Sequence, residues 1–416
     1  MKKEHVLFHK MIFSIGRFCA RPYVKLKYSF STDQIPRLDE PFIMLSNHTT
    51  EDDFFFTGIA SRGLMYFVCG EHLLRNPAYG KLIRALGDPI PVPKGGVSLG
   101  AVKEIIKRTK AGYSICMFPE GKRSFHGETI PNSVALGKLV KKSGCALVTY
   151  RIQGGYFTYP RWARNHPRKG HAEGHVVGVY RSAQLAEWSV QEITDVINRD
   201  TYENAYETQR EKQWLYRGDH LAEGMEHVLF ICPCCHSVDT IQTQGDTFSC
   251  TTCGMTGIYN SYGFLESDQL PFDSVLDWMR WLECEYDQLV AQSAPDALLF
   301  TQPDVLLYQM LDGYRNESIA TDRLRIYCDR MEFGSADATA SQTTQASQTT
   351  QTSQATHQYI FPFAEISSLS VLYGNILLFT YKGTYYGLTS ERFSAWKCAR
   401  LWHITKGDAN DRTKEI

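Results

Sequence analysis

The sequence predicts an α/β domain with a mostly parallel sheet flanked by helices, followed by a cysteine-rich module and a small β-rich domain with a C-terminal helix. Three observations lead to this prediction. Short apolar runs typical of buried strands alternate with helix-like segments over the first half of the chain. Five of the 12 cysteines then fall between Cys232 and Cys253. Several strand-like runs follow and precede one last helix-like segment.

The length and the charge distribution limit what the whole chain can be. Its 416 residues are too many for one ordinary core and favour several domains. With 43% apolar and 21% charged residues, the chain cannot as a whole be disordered, collagen-like or a coiled coil. Residues 1–200 carry a net charge of +12 and the remainder −13. A basic first half suits phosphates or an anionic membrane surface, and the acidic second half disfavours a nucleic-acid groove, so no nucleic-acid partner is expected.

Residues 1–30 are predicted to form an amphipathic, membrane-associating segment. Apolar residues between Val6 and Cys19 recur at helical spacing among Lys and Arg, and Pro22 is expected to end the helix. This pattern favours a helix in a membrane interface; a helix packed on its own domain is the alternative. No run of about 18 apolar residues and no secretory signal is visible, so we expect peripheral association with the cytoplasmic face of the cell membrane.

Residues 31–228 are predicted to be the α/β domain. The expected strands cover 42–45, 64–69, 113–118, 145–152 and 176–180, and the expected helices cover 51–62, 100–109 and most of 184–230. A parallel sheet of this kind binds its ligands beyond the carboxyl ends of its strands.

The first candidate motif, Asn47-His48-Thr49-Thr50-Glu51-Asp52-Asp53, lies where a predicted strand gives way to a helix. Histidine is the side chain best able to accept a proton near neutral pH. A carboxylate five positions later can hydrogen-bond the imidazole, fix its tautomer and stabilise the imidazolium. The same residues are also ordinary at a helix N-terminus, so this motif alone is weak.

The second candidate motif is Phe118-Pro119-Glu120-Gly121, which follows the strand predicted at 113–118. The next residues, Lys122-Arg123-Ser124, gather donors suited to a phosphate group. Ordinary turn chemistry explains the Pro and Gly equally well.

In this order, the two motifs resemble those of the glycerolipid acyltransferases, typified by bacterial 1-acylglycerol-3-phosphate acyltransferase. Asn47 to Asp53 is similar to the family motif N-H-x4-D, and Phe118 to Gly121 to F-P-E-G. The segment from Gly87 to Lys94 occupies the position of a further family motif, which normally ends in Arg and here ends in Lys. Residues 145–151 resemble a later family motif, an apolar strand that usually contains a Pro, but they lack that Pro. The resemblance covers roughly residues 5–225.

The resemblance implies a glycerolipid acyltransferase-like fold and a peripheral enzyme of phospholipid biosynthesis. Such an enzyme transfers an acyl group from acyl-CoA or acyl carrier protein to a hydroxyl of lysophosphatidate. His48 would be the general base and Asp53 its orienting partner, with Glu120 as the third catalytic residue. The implied substrate-binding residues are Lys94, Phe118, Pro119, Gly121, Lys122, Arg123 and Ser124.

Lys94 departs from the family pattern and leaves alternatives open. It keeps the positive charge but loses the bidentate phosphate recognition of Arg. Transfer onto another lyso-lipid or a lipid-linked acceptor therefore stays open, and so does a non-catalytic membrane or protein adaptor.

Gly96-Val97-Ser98-Leu99-Gly100 matches the nucleophile elbow of hydrolases. The segment before this motif contains Pro89, Pro91 and Pro93, so no strong strand is predicted to lead into it. Ser98 is also an ordinary N-cap for the following helix. We therefore favour the acyltransferase over the hydrolase.

Residues 229–260 are predicted to be a zinc ribbon. Cys232 and Cys235 form one C-x2-C pair, and Cys250 and Cys253 form a second after 14 intervening residues. Two thiolate pairs at this spacing suit tetrahedral zinc in a closed structural site. Cys234 and His236 are nearby alternative ligands. Disulfides or a redox pair suit a chain without an export signal less well.

The rest of the chain is predicted as a helical connector over 261–295 and a β-rich domain over 296–408. The connector contains a helix at 274–293, and the β-rich pattern somewhat resembles a pleckstrin-homology-like fold. The segment 335–358, rich in Ser, Thr, Gln and Ala, is expected to be a disordered loop. The other expected elements are strands at 323–333, 359–363, 366–372, 376–381 and 384–388 and a helix at 390–405.

Overall fold

The computed structural model describes residues 3–75, 79–92, 99–163, 166–294, 296–311, 315–334 and 358–407. Lys94, Ser98 and, except for Gln358, the loop predicted at 335–358 lie outside these described residues. The chain forms two compact units. One consists of the residues up to Met225 together with Ile231–Arg280, and the other of Glu226–Phe230 together with the chain from Trp281 onward.

The first unit is built on a seven-stranded sheet of order β1-β7-β6-β2-β5-β3-β4. All neighbours are parallel except β6 and β7, so the predicted mostly parallel sheet flanked by helices is confirmed. The strands are β1 Ser31–Thr32, β2 Phe42–Ser46, β3 Met65–Gly70, β4 Ile90–Val92, β5 Ser114–Met117, β6 Ala146–Gln153 and β7 Glu173–Tyr180. The helices are α1 Lys3–Tyr28, α2 Asp53–Ala60, α3 Glu71–Arg75, α4 Tyr79–Gly87, α5 Leu99–Lys110, α6 Val134–Ser143, α7 Gly155–Thr158, α8 Ser182–Glu187, α9 Val190–Thr201 and α10 Ala205–Lys212.

The strands are apolar on both faces because helices cover the sheet on both sides. In β2, Met44 belongs to one core cluster, which also contains residues of α1 and α2. Ile43 and Leu45 belong to the other, which contains residues of α5, α6, α8 and α9. The alternation of side chains along each strand therefore fills two cores and leaves the strand ends to carry the polar motifs.

Helix α1 extends further than the sequence predicts, because Pro22 lies inside it and does not end it. A proline in a helix removes one backbone hydrogen bond. Ala20, Val24 and Tyr28 on one side of α1 are buried in the core of the first unit, and this packing outweighs that loss. Among the described residues, no helix is both long and apolar enough to span a membrane.

The prediction of a largely helical segment at 184–230 is wrong beyond Lys212. Gln213 ends α10 in the left-handed conformation with φ +54°. The following backbone pairs with other segments, since Arg217 and Lys169 exchange two backbone hydrogen bonds and the Tyr216 N–H donates to the Ser261 carbonyl. These partners replace the hydrogen bonds of a helix, and only a short 3-10 turn at Met225–His227 follows.

The cysteine module forms a small antiparallel sheet of order β11-β10-β9-β8 in the first unit. It is followed by a long helix, close to the one predicted at 274–293. The bounds are β8 Ile241–Gln244, β9 Thr247–Cys250, β10 Thr256–Tyr259, β11 Leu265–Glu266 and α11 Val275–Gln292.

The second unit contains the predicted β-rich domain, a seven-stranded sheet of order β15-β14-β13-β12-β18-β17-β16 with a closing helix. Its first strand is absent from the sequence prediction because Pro303 interrupts the pattern. There the strand is irregular, with Asp304 at φ +51°. The elements are β12 Leu298–Leu311, β13 Arg315–Tyr327, β14 Arg330–Phe333, β15 Tyr359–Pro362, β16 Ile366–Leu372, β17 Ile376–Tyr381, β18 Thr384–Thr389 and α12 Ala395–Lys406.

Candidate active site

The two predicted motifs leave neighbouring strands at the same edge of the sheet. β2 and β5 are parallel and directly paired, with Leu45 opposite Met117. The loop after β2 carries His48, and the turn after β5 carries Glu120. Because paired parallel strands end at the same edge, the fold brings these residues together despite their separation in sequence.

Asp53, the first residue of α2, holds the imidazole of His48. The Asp53 side chain is fully buried, and its Oδ2 lies 2.8 Å from the Nδ1 of His48. An ionised carboxylate only accepts hydrogen bonds, so this contact uses a proton on Nδ1, and in the neutral imidazole the lone pair is then on Nε2. The His48 side chain is 23% exposed. A pair in this geometry can act as a proton acceptor with an orienting partner.

Four further donors fix the Asp53 carboxylate. The backbone N–H groups of Thr49 and Thr50 donate to it at 2.5 and 3.0 Å, and their hydroxyls donate at 3.1 and 2.7 Å. A buried carboxylate needs such donors, because an unpaired charge is costly to bury. Both threonines belong to the first motif, but the sequence alone indicates no role for them.

The turn after β5 holds the backbone of His48. Oε1 of Glu120 accepts a hydrogen bond from the His48 N–H at 2.7 Å, and the Ser124 N–H donates to the His48 carbonyl at 2.8 Å. The Phe118 ring stacks on the imidazole with 4.6 Å between centroids. Gly121 has φ +71°, a conformation that favours glycine. The two motifs therefore form one site.

The basic residues after this turn are also placed by local contacts. Nη2 of Arg123 forms an ion pair with Oε1 of Glu51 at 3.3 Å, and its Nη1 donates to the Tyr159 carbonyl at 3.4 Å. The Ser124 hydroxyl donates to the Glu128 carbonyl at 3.0 Å and so closes its own loop. The remaining described residues of this predicted set, Pro119 and Lys122, lie half-buried in the same segment.

Asn47 and Gly155 support the first motif, although neither was among the predicted site residues. The Asn47 side chain exchanges two hydrogen bonds with the backbone of Ile152 in β6, at 2.8 and 2.7 Å. A Cβ atom on Gly155 would lie 2.2 Å from the Oγ1 of Thr49, so only glycine fits there. The sequence signal for Asn47 is its place in the first motif. The signal for Gly155 is the pair Gly154-Gly155 after a predicted strand, because two glycines there allow the backbone to approach Thr49 closely.

Arg161 lies beside Arg123 and was absent from the sequence prediction. Its Nη1 donates to the Arg123 carbonyl at 3.3 Å, and its guanidinium lies 4.7 Å from the ring centroid of Phe125. The side chain is mostly buried. No motif marks Arg161, because it is brought to the site by the irregular chain after α7.

Cys232, Cys235, Cys250 and Cys253 form a group whose sulfurs all lie within 4.8 Å of one another, as predicted, and this group can hold a metal ion. Two Sγ–Sγ pairs, Cys232 with Cys253 and Cys235 with Cys250, are both 3.7 Å apart. Four sulfurs about 2.3 Å from a central tetrahedral ion would be about 3.8 Å apart, so the arrangement fits zinc. Cys234 points elsewhere, toward the carbonyl of Gln269.

The two cysteine knuckles each contain an equivalent backbone hydrogen bond, from the N–H four residues after the first cysteine of the pair to the carbonyl of that cysteine. The His236 N–H donates to the Cys232 carbonyl, and the Gly254 N–H donates to the Cys250 carbonyl. Burial opposes ionisation of Cys250, but hydrogen bonds from Thr240 and from nearby backbone groups outweigh it and lower its pKa to about 5, whereas burial raises the pKa of Cys232 in the same group. A thiol that ionises readily is suited to bind a metal.

The small sheet of the cysteine module packs on the chain that follows α7. The ring of Tyr259, in β10, lies 5.3 Å from that of Trp162. Its hydroxyl accepts from Nη1 of the buried Arg168 at 3.2 Å, and Nη2 of Arg168 donates to the Leu221 carbonyl at 2.6 Å. The cysteine module therefore supports the segment that carries Arg161 to the site.

The residues that form this site are similar to those of a known protein family. The family model described as Acyltransferase matches residues 27–153, which include both the Asn47–Asp53 loop and the Phe118–Gly121 turn. Residues 27–153 are therefore similar to an acyltransferase domain.

Individual relatives are similar over parts of the chain. The 1-acyl-sn-glycerol-3-phosphate acyltransferase of Streptococcus pneumoniae (strain ATCC BAA-255 / R6) is 30% identical over 122 residues, which is 29% of this chain and 45% of that relative. The chain thus matches less than half the length of this curated relative. Among solved structures, the 1-acyl-sn-glycerophosphate (LPA) acyltransferase PlsC from Thermotoga maritima is 22% identical with a TM-score of 0.38, over 46% of this chain and 78% of that one.

Proposed function

We propose that the protein transfers an acyl group from an acyl thioester, acyl-CoA or acyl carrier protein, to a hydroxyl of lysophosphatidate. The observation that carries the proposal is the hydrogen bond between His48 Nδ1 and Asp53, set directly beside the turn that contains Glu120. This geometry supports a general base at the end of a parallel sheet, where ligands of such sheets bind. The similarity to the pneumococcal 1-acyl-sn-glycerol-3-phosphate acyltransferase supports the choice of acceptor.

In the proposed reaction, Nε2 of His48 takes the proton of the acceptor hydroxyl while the oxygen attacks the thioester carbonyl carbon. The tetrahedral intermediate then collapses, the carbon–sulfur bond breaks, and the imidazolium returns its proton to the leaving thiolate. Asp53 stabilises the imidazolium between these steps. Since the acceptor oxygen is itself the nucleophile, the mechanism needs no acyl-enzyme.

The acceptor phosphate is proposed to bind to the basic residues after the second motif. Arg123 offers a planar fork of donors for phosphate oxygens, and Lys122 adds positive charge. Lys94, which the family resemblance adds to this set, lies outside the described residues. Phe118, Pro119, Gly121 and Ser124 would shape the pocket, with the Gly121 backbone near the developing oxyanion. Glu120 contributes by holding the His48 backbone.

Glu51→Gln is expected to strengthen acceptor binding. Glu51 now shares the guanidinium of Arg123, and its side chain is 64% exposed, so it competes with the phosphate at modest strength. Removing its charge should lower the KM for lysophosphatidate by about 2–5-fold and leave kcat unchanged, the size expected of an exposed ion pair. Steady-state kinetics measure this. Glu71→Gln, which removes an exposed ion pair with Arg75, is the control. An unchanged or raised KM in E51Q contradicts the assignment of Arg123.

We further propose that α1 attaches the protein to the cytoplasmic face of an anionic membrane. One side of α1 exposes an apolar stripe at helical spacing and the opposite side is buried in the core, so the outer side suits a lipid surface. Basic residues at Lys10, Arg21 and Lys25 accompany the stripe. Its exposed members are Leu7, Met11, Ile15, Phe18 and Leu26.

The double variant Phe18→Ser/Leu26→Ser is expected to bind anionic vesicles at least about 100-fold more weakly, because each inserted side chain contributes about 1.5–3 kcal/mol. Both residues are exposed, so the fold should be kept. Sedimentation with phosphatidylglycerol-containing vesicles measures binding, and Leu215→Ser, at another exposed apolar side chain, is the control. Unchanged vesicle binding, or a dimer formed through this stripe in solution, contradicts the proposal.

The proposed activity is tested by incubating purified protein with lysophosphatidate and a panel of acyl-CoA and acyl carrier protein donors, with products identified by mass. Phosphatidate is the expected product. Transfer only to another lyso-lipid or lipid-linked acceptor would change the acceptor assignment. If no acyl group were transferred to any acceptor, the proposal of an enzyme would be overturned in favour of a non-catalytic membrane or protein adaptor.

We propose that the four-cysteine group holds a structural zinc ion. Its four thiols suit a closed tetrahedral site with no open catalytic position.

A further inference from the structure

Asp52 lies next to the proposed catalytic pair but its side chain serves a different element. It is the N-cap residue of α2, and its carboxylate makes no hydrogen bond to the free N–H groups of that helix, as an aspartate there usually does. Its Oδ2 instead accepts three hydrogen bonds from α1, from Tyr23 at 2.9 Å, Lys27 at 2.7 Å and Tyr28 at 2.5 Å. The carboxylate is thus committed to α1.

The charges of this cluster match its geometry. The Asp52 side chain is only 14% exposed. Burial opposes its ionisation, but the hydrogen bonds from Lys27, Tyr28 and Tyr23 outweigh it and lower the pKa of Asp52. Burial and the neighbouring carboxylate together raise the pKa of Tyr28, which therefore stays a donor. Charge-assisted hydrogen bonds of this kind are among the stronger ones in proteins.

Helix α1 holds both ends of α2. At the end of α2, Nη2 and Nη1 of Arg17 donate to the carbonyls of Ile59 and Arg62, at 3.2 and 3.5 Å. Between the ends, the ring of Tyr28 packs against that of Phe56 with 5.1 Å between centroids. The short helix held in this way begins with Asp53, the residue that orients His48.

We propose that α1 is a positioning element for the His48–Asp53 pair, and that Asp52 is the positioning residue through which a lipid surface bound to the outer side of α1 holds the catalytic loop in place. The inference rests on the proposed function and deepens it. The same helix presents an apolar stripe to solvent and gives Asp52 three donors, the buried Tyr28 and the partly exposed Tyr23 and Lys27. Attachment to the lipid that contains the acceptor and alignment of the base are therefore one event.

The kinetic test compares Asp52→Asn and Tyr28→Phe with the wild-type chain. Small misplacements of a catalytic group are costly, so kcat on vesicles containing lysophosphatidate should fall about tenfold or more in D52N and less in Y28F. KM and vesicle binding should stay within about twofold, because the hydrogen bonds of Asp52 go to Tyr23, Lys27 and Tyr28 and not to Arg123 or the exposed apolar stripe of α1. Asp39→Asn, which removes an exposed ion pair with Arg181, is the matched control. An unchanged kcat in D52N overturns the inference.

A second measurement does not depend on activity. Amide hydrogen exchange of residues 47–56, which include the N–H groups that bind Asp53, should slow when vesicles bind to the wild-type chain. In D52N this protection should be lost, so that with vesicles bound these amides should exchange about tenfold faster than those of the wild-type chain. Equal exchange in both proteins overturns the inference. A wild-type chain that transfers no acyl group overturns the proposed function instead, and the exchange experiment still decides the role of Asp52.

Discussion

Replacing His48 by Ala is expected to reduce acyl transfer by about 10²–10⁴-fold, the usual contribution of a general base. The imidazole is the group that accepts the hydroxyl proton in the proposed reaction, and its Nδ1 contacts Asp53. The backbone bonds to Glu120 and Ser124 belong to the His48 main chain and survive the substitution. The loss should therefore appear in kcat, measured by phosphatidate formation, with little change in thermal stability.

The control for this prediction is His175→Ala, since His175 is a half-exposed histidine of β7 in the same unit. It should leave acyl transfer within about twofold, as surface substitutions usually do. Asp53→Asn should also lower transfer, but it is a less clean test because Asp53 accepts hydrogen bonds from Thr49 and Thr50 as well. A folded H48A protein that keeps its activity and its vesicle binding would remove His48 from the mechanism and leave the Asp53 pair a structural feature.

The sequence predicts those parts of the fold and site whose signals are local. A buried strand reads as an apolar run, so β2 and β6 appear near their observed bounds. His48 and Glu120 lie close together because each follows a strand and the two strands are parallel neighbours. The sequence indicates this because each motif stands at the end of a predicted strand. The cysteine spacing likewise predicts the metal-binding group.

What the sequence does not predict depends on contacts between distant segments. Pro22 lies within α1 because the core holds the buried side of the helix both before the proline, at Ala20, and after it, at Val24, and no local signal carries that information. Asp52 reads as an ordinary N-cap residue, although its carboxylate binds α1. Arg161 reaches the site only because Arg168 and Tyr259 place the chain that carries it.

Removal of the metal is the second change from which we expect a large effect, and its consequences should reach the active site. A structural zinc ion contributes directly to folding, by about 10–16 kcal/mol in isolated zinc-finger peptides. Cys250→Ser, or a strong chelator, should therefore release the metal and lower the melting temperature by about 10 °C or more. Since Tyr259 in the same small sheet holds Arg168, acyl transfer should fall with stability. Metal content by mass spectrometry, calorimetry and the transfer assay measure the three effects.

The matched control is Cys234→Ser, in the same knuckle as two of the four cysteines. The Cys234 thiol donates to the Gln269 carbonyl at 3.2 Å and lies outside the four-sulfur group, so this variant should keep one metal ion, its stability and its activity. Loss of the metal from C234S would make Cys234 a ligand and displace one of the four assigned here. If C250S kept its metal and its melting temperature, the cysteines would not form the proposed site. If C250S lost the metal but transferred acyl groups at the wild-type rate, the module would be a separate structural element, and the contacts of Tyr259 would not support the active site.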